Sequence, residues 1–273
     1  ENNYYYSEVK GRELYFVNEG LKVPKYGQVE LVEAETSFTA YQEFQSMLTR
    51  DRIDIFMVGE FDDYQVLQAL HRFPLEGRQV DLQFSYSQRY VNVVREKIEP
   101  RQSSQSILQL GYQFQCQYGD KDYFALIVFN AMFGEFAHSA LFTTLREKEG
   151  LAYSISSQFD IFTGLLEVYA GIEKSNRNQA MRGISRELNY IKLGRFSSSL
   201  LNQTKKIIRM NALLSEDHAL TLVEQRFNKV IFGDKSLSLE NWLDEIEKVT
   251  KKDVCRVARQ VKLQSLFFLE GVS

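Results

Sequence analysis

The 273-residue sequence predicts an α+β fold, and three features carry that prediction. Leu108, Leu110, Tyr112 and Phe114 alternate with Gln109, Gly111, Gln113 and Gln115, the pattern of a half-buried antiparallel strand. Val254, Val257, Ala258 and Val261 fall at i, i+3, i+4 and i+7, the apolar stripe of a helix. Between them, residues 145–154 (LREKEGLAYS) read as a charged helix end, a glycine stop and the start of a strand. Together these describe an antiparallel sheet packed against helices.

Taken in order, residues 1–30 hold Tyr4, Tyr5, Tyr6, Leu14, Tyr15, Phe16 and Val17, apolar enough to be buried against something. Residues 22–27 read as a loop punctuated by Pro24 and Gly27. Phe38, Tyr41, Phe44 and Leu48 predict an amphipathic helix over 36–48. Residues 53–59 are a short apolar run rich in β-formers, read as a buried strand. Asp62 and Asp63 can cap a helix bearing Val66, Leu67 and Leu70, which stops before Pro74. Residues 77–88 form a connector and 90–98 a strand.

Residues 123–133 are apolar nearly all round, so they predict a helix buried at a domain centre. A helix over 138–148 leads into the glycine stop, and a hairpin turns at Thr163-Gly164 before a strand over 165–172. The rest is mostly helical. One helix covers 174–193 and ends at Gly194. A second covers 196–214, with Leu200, Ile207 and Ile208 inward. A third covers 217–231, carries Leu220, Val223 and Phe227, and stops at Gly233. Thr250 with Asp253 resembles a capping box opening the last helix, and residues 266–269 form a final strand.

The succession Thr36, amphipathic helix, apolar run, Gly59 is echoed by Thr250, amphipathic helix, apolar run, Gly271. This suggests two related α+β units. The expected division is 1–78 as the tail of a preceding α+β domain, 79–102 as linker and first strand, and 103–273 as the C-terminal domain. The chain begins with Glu1 rather than Met, as expected of a fragment of a longer protein.

Net charge is −3, which gives no electrostatic case for nucleic acid. No apolar run is long enough to cross a bilayer, so no membrane partner is expected. Cys116 and Cys255 are isolated thiols that fit a reducing compartment, and a cytoplasmic location is expected. His71, His138 and His218 lie far apart and form no His-x-x-Glu-His set; each reads as a surface or capping histidine. No phosphate-binding glycine loop or nucleophile elbow is present.

Residues alone leave 145–154 open. A run Arg-Glu-Lys-Glu reads as a solvated helix end, and a tyrosine at the head of a strand as a packing residue with its hydroxyl in water. However, LREKEGLAYS, preceded by Phe133-Gly134 and Leu141-Phe142, resembles the most recognisable motif of the pitrilysin–insulinase (M16) zinc peptidases, in the half that does not bind zinc. Residues 54–59 resemble the family strand that closes one domain.

The resemblance implies an insulinase-like fold and a catalytic contribution from Arg146 and Tyr153. Arg146 would hold a carbonyl or carboxylate of a peptide substrate through its planar fork. Tyr153 would donate to the oxygen that becomes negative during water attack, a contact worth about 3–4 kcal/mol of barrier. Zinc would lie in the partner, a homologous His-x-x-Glu-His subunit or domain, as in a heterodimer, and no metal or cofactor in this chain. Two alternatives stand beside this: a non-catalytic structural subunit of the same fold, and an α+β domain that keeps the motif for its helix-turn-strand geometry.

Overall fold

A computed structural model describes residues 2–73, 80 and 86–272. In chain order its elements are α1 (Asn3–Tyr15), α2 (Glu19–Lys22), α3 (Val29–Ala34), α4 (Ser37–Arg50), α5 (Asp63–Leu70), β1 (Arg95–Gln102), β2 (Ser106–Gln113) and α6 (Tyr123–Asn130). Wide-turn helices follow at Ala131–Glu135 and Phe142–Lys148, then the hairpin β3 (Ala152–Asp160) and β4 (Leu165–Ile172). The chain ends with α7 (Arg177–Lys192), α8 (Ser198–Ser215), α9 (Ala219–Phe232), α10 (Leu239–Lys248), α11 (Lys251–Gln260) and β5 (Lys262–Val272).

Two compact units result. One holds the described residues within 1–23, 85–213 and 237–273, the other those within 24–84 and 214–236. Of the stretch 1–78 expected as a preceding domain's tail, residues up to 23 therefore belong with the sheet. The expected connector over 77–88 falls largely outside the described residues, as does Pro74.

The sheet unit is built on five strands in the order β1-β5-β2-β4-β3. The ladders are antiparallel except between β1 and β5, which run parallel. That is one departure from the all-antiparallel sheet expected; another is that the first strand starts at Arg95 rather than near Tyr90. The hairpin turns where expected, with Gly164 in the left-handed region at φ +68°.

One face of the sheet is covered by the main core. Leu108, Leu110, Tyr112, Leu166, Val168, Leu266 and Phe268 meet Leu126, Phe129 and Phe133, as well as Val254, Val257 and Val261 at the end of α11. Phe129 and Phe133 stack at 5.5 Å, in keeping with a helix that is apolar all round. The buried residues of α8 are Leu201, Thr204, Lys205 and Ile208; of the three expected inward, Ile208 is among them and Leu200 packs half-buried against the same core.

The opposite face is covered by α1, which the sequence did not reveal as a helix. Asn2 caps it by accepting from the Tyr4 N–H at 2.9 Å. Tyr15 and Phe16 pack with Leu165, and Ile107, Phe267 and Leu269 form a further cluster beside Tyr6 and Leu14. Arg12 clamps Glu167 of β4 with two bonds, of 3.0 and 2.7 Å, one to each carboxylate oxygen. Strand β2 is thus buried along its whole length rather than on alternate residues. Gly111 is needed there: an added Cβ would come within 2.8 Å of the Tyr15 ring and 2.4 Å of Ser265 Oγ.

In the other unit, α4 carries the expected stripe and α5 is capped by Asp62, which accepts from the Tyr64 N–H at 2.8 Å. Gly233 ends α9 at φ +56°. Residues 53–58 form no strand, and Ile53, Ile55, Met57 and Val58 are exposed. The expected buried strand is corrected accordingly. An extended segment becomes a strand only beside another, and none of the described residues pairs with it.

Candidate functional site

The site is organised by the turn at Gly150. Leu141 and Leu145 are fully buried and anchor the preceding helix to the core. Its last turns are wider than an α-helix: the Glu149 N–H donates to Thr144 C=O at 2.9 Å, and the Leu151 N–H to Leu145 C=O at 2.8 Å. Gly150 supplies the left-handed residue, at φ +62°, that lets the chain leave the helix and enter β3.

Arg146 is exposed on this helix, its guanidinium 4.6 Å from the centroid of the Phe142 ring. The ring supports the planar group by a cation–π contact while leaving the N–H fork in water. Glu149 is tied to Arg186 of α7 at 2.6 Å.

Tyr153 lies on the other side of the turn and is 52% exposed. Ala152 is opposite Ile172 and Ser154 opposite Gly171, so Tyr153 is the extra residue of a β-bulge. Its hydroxyl donates to Glu173 Oε1 at 2.7 Å. That bond raises the phenol's pKa above the ordinary tyrosine value, which keeps Tyr153 a neutral donor.

Arg146 and Tyr153 therefore both face solvent on the two sides of Gly150, each with its own neighbour, Phe142 or Glu173. The arrangement offers N–H and O–H donors suited to carbonyl and carboxylate oxygens. Glu173 was missed from the sequence. The signal was the hairpin register, which places residue 173 one step beyond the partner of Ala152.

The histidines are dispersed. His71 caps the end of α5 and His218 the start of α9, in the second unit. His138 Nε2 lies 2.9 Å from Thr204 Oγ1, and burial lowers its pKa. Cys116 and Cys255 are free and buried; burial pushes the Cys116 thiol up to about 12, away from nucleophilic use. Among the described residues no three of His, Cys, Asp and Glu are grouped to hold a metal. The described residues do not fit a zinc ion, so no metal-dependent step is assigned to them.

A sequence model of the family described as "Peptidase M16 inactive domain" matches residues 41–208. The chain belongs to that family. This M16 chain is 34% identical over 252 residues to the "probable inactive metalloprotease YmfF" of Bacillus subtilis (strain 168), covering 90% of this chain and 58% of that protein. The "uncharacterized zinc protease YmxG" of the same organism is 24% identical over 250 residues, 89% of this chain and 59% of that protein. A conserved protein from Enterococcus faecalis V583, known from its crystal structure, superposes with a TM-score of 0.91 at 36% identity, covering 98% of this chain and 63% of that one. An M16 inactive domain from Pseudomonas fluorescens superposes at 0.72 with 15% identity, a likeness of fold alone. The chain spans less than two thirds of the length of each of these relatives. The resemblance carried by residues 145–154 is borne out for family and fold. No helix among the described residues is long and apolar enough to cross a membrane.

Proposed function

We propose that this chain is the substrate-binding, zinc-free half of an insulinase-like metallopeptidase. It helps hydrolyse peptides when paired with a zinc-bearing His-x-x-Glu-His subunit or domain, in the cytoplasm, as a heterodimer. Residues 24–73 of the expected tail belong to a second α+β domain in this reading. The observation that carries it is the exposure of Arg146 and Tyr153 on the two sides of Gly150. Buried, they could touch no substrate.

The roles follow from the donors. Arg146, held over Phe142, grips a peptide carbonyl or carboxylate with two N–H groups at once. Tyr153 turns its O–H from Glu173 to a carbonyl oxygen as that oxygen gains charge. Glu173 holds the phenol protonated and oriented until then. Water activation belongs to the zinc-bearing half.

The test is turnover of the reconstituted pair on a quenched fluorescent peptide. Tyr153→Phe lowers kcat by about 100-fold with the fold intact, as loss of such a donor does. In Glu173→Gln the phenol titrates at a lower pH, measured by tyrosinate absorbance, because the charge that holds its proton is gone. An unchanged kcat in Tyr153→Phe refutes the reading.

A second reading is a non-catalytic structural subunit. It is favoured by the Tyr153–Glu173 bond itself, which occupies the phenol's one proton. A fold relative also occurs within a structure titled "Complex III2 from Candida albicans", at a TM-score of 0.70 and 15% identity. In that case Tyr153→Phe changes no activity of the assembly.

A further inference from the structure

A cavity of about 250 Å³ lies at the turn end of the β3–β4 hairpin, away from Tyr153. Seven residues of β3 separate the two places, about 23 Å of strand. Its walls are residues 86–88, 113–117 and 161–164, with Asp120. They are stitched together by main-chain bonds. The Tyr86 N–H donates to the Phe162 C=O at 2.9 Å, and the Phe114 N–H to the Gly164 C=O at 3.0 Å. Gln88 is locked as well: its side-chain amide donates to the Tyr15 C=O at 3.0 Å and accepts from the Val17 N–H at 3.1 Å.

One lining residue is left unsatisfied. Gln113 is 2% exposed, and its amide nitrogen donates to the Gln88 C=O. That carbonyl can only accept, which fixes the nitrogen end of the amide there and turns the oxygen elsewhere. Among the described residues Gln113 Oε1 has no hydrogen-bond partner. A buried acceptor calls for a donor, and the cavity it borders has room for one. The other lining groups say which kind. Asp120, exposed at the rim, is the one charged side chain among the described lining residues, which include no lysine or arginine. Tyr86 and Phe162 add aromatic rings, which attract cations. Acceptors, one negative charge and rings repel an anion and suit a cation that carries N–H groups.

We propose that this cavity binds a small organic cation, a guanidinium or primary ammonium group, through its N–H donors. The cation donates to Gln113 Oε1, Asp120 supplies the opposite charge, and Tyr86 and Phe162 form the aromatic wall. The space is smaller than the roughly 300–1,000 Å³ of drug-sized sites, so the bound group is small. The site is independent of the hydrolytic reading above, since it uses neither Arg146 nor Tyr153.

The test is an NMR titration of the full 273-residue chain with methylguanidinium, and with tetramethylammonium as a small cation that has no N–H. Methylguanidinium saturably shifts the Gln113 side-chain amide and the backbone amides of Cys116 and Thr163, and tetramethylammonium leaves them in place. Gln113→Met removes the acceptor and weakens binding about tenfold. Asp120→Asn keeps an acceptor for the Gln117 N–H and weakens binding about threefold. The tripeptide Gly-Arg-Gly separates the two sources of such a group. Binding at least as tight as that of methylguanidinium assigns it to a protein side chain, weaker binding assigns it to a free small molecule, and either upholds the site. No saturable shift below about 100 mM, equal shifts with tetramethylammonium, or full affinity in folded Gln113→Met overturns the proposal. Should Gln113→Met fail to fold, Asp120→Asn decides, and unchanged affinity there overturns it.

Discussion

The helix–strand succession occurs twice in this chain with opposite outcomes. α4 and α11 open in the same way: Thr36 and Thr39 cap each other reciprocally, as do Thr250 and Asp253. After α11 the chain enters β5, which lies between β1 and β2 and buries Leu266, Phe267, Phe268 and Leu269. After α4 the chain is extended over 53–58 and forms no ladder, and Phe38, Tyr41 and Phe44 on the helix are exposed. Caps and helical periods are local, so both copies keep them. A strand exists only when neighbours complete it, so only one copy has it.

Core truncation separates the two copies most sharply. Phe268→Ala, at a fully buried position, lowers unfolding free energy by about 3–5 kcal/mol in urea denaturation. The corresponding change on α4, Phe44→Ala, stays within about 0.5 kcal/mol, because that ring is already half in water. Equal losses would show that the α4 stripe is as well packed as β5.

The caps should match where the cores do not. Thr250→Ala and Thr36→Ala each cost their own helix about 1 kcal/mol, read as faster exchange of the first-turn amides of α11 and α4. A cost confined to α11 would mean that the shared Thr-led start has structural value only inside the sheet unit.

The smallest effect is electrostatic and confined to the sheet unit. Burial lowers the His138 pKa, so the folded state favours the neutral ring. Stability is then complete above the unfolded-state pKa of about 6.5 and falls as pH drops through the folded-state value. His138→Gln removes this slope while keeping a partner for Thr204, as a series of denaturation curves from pH 7.5 to 5 would show.

The legible parts of the fold were those set by short-range chemistry. Gly150, Gly164, Gly194 and Gly233 all lie at positive φ where they end helices or close the hairpin. The capping box at Thr250 is formed, and the stripe of α11 is buried. The full burial of β2 could not be read, because it depends on α1, whose tyrosine-rich sequence shows no helical period and which reaches the sheet from far away in the chain. The same limit applied at the site. The candidates Arg146 and Tyr153 sit in one contiguous motif, whereas Glu173 is twenty residues from Tyr153 and reaches it through the hairpin. The wide turns after Leu145 left no sequence signature.

The bulge at Tyr153 separates the exposed phenol from the ladder that holds the sheet. Ala152 and Ser154 already have consecutive partners in Ile172 and Gly171, so the phenol is carried by a residue that the ladder does not count. Excising it would leave a more regular hairpin without its phenol. Changes at this one site can therefore be accepted or lost at little expense to the sheet, which makes it a place where a working copy and a silent copy of the fold can diverge by a single residue.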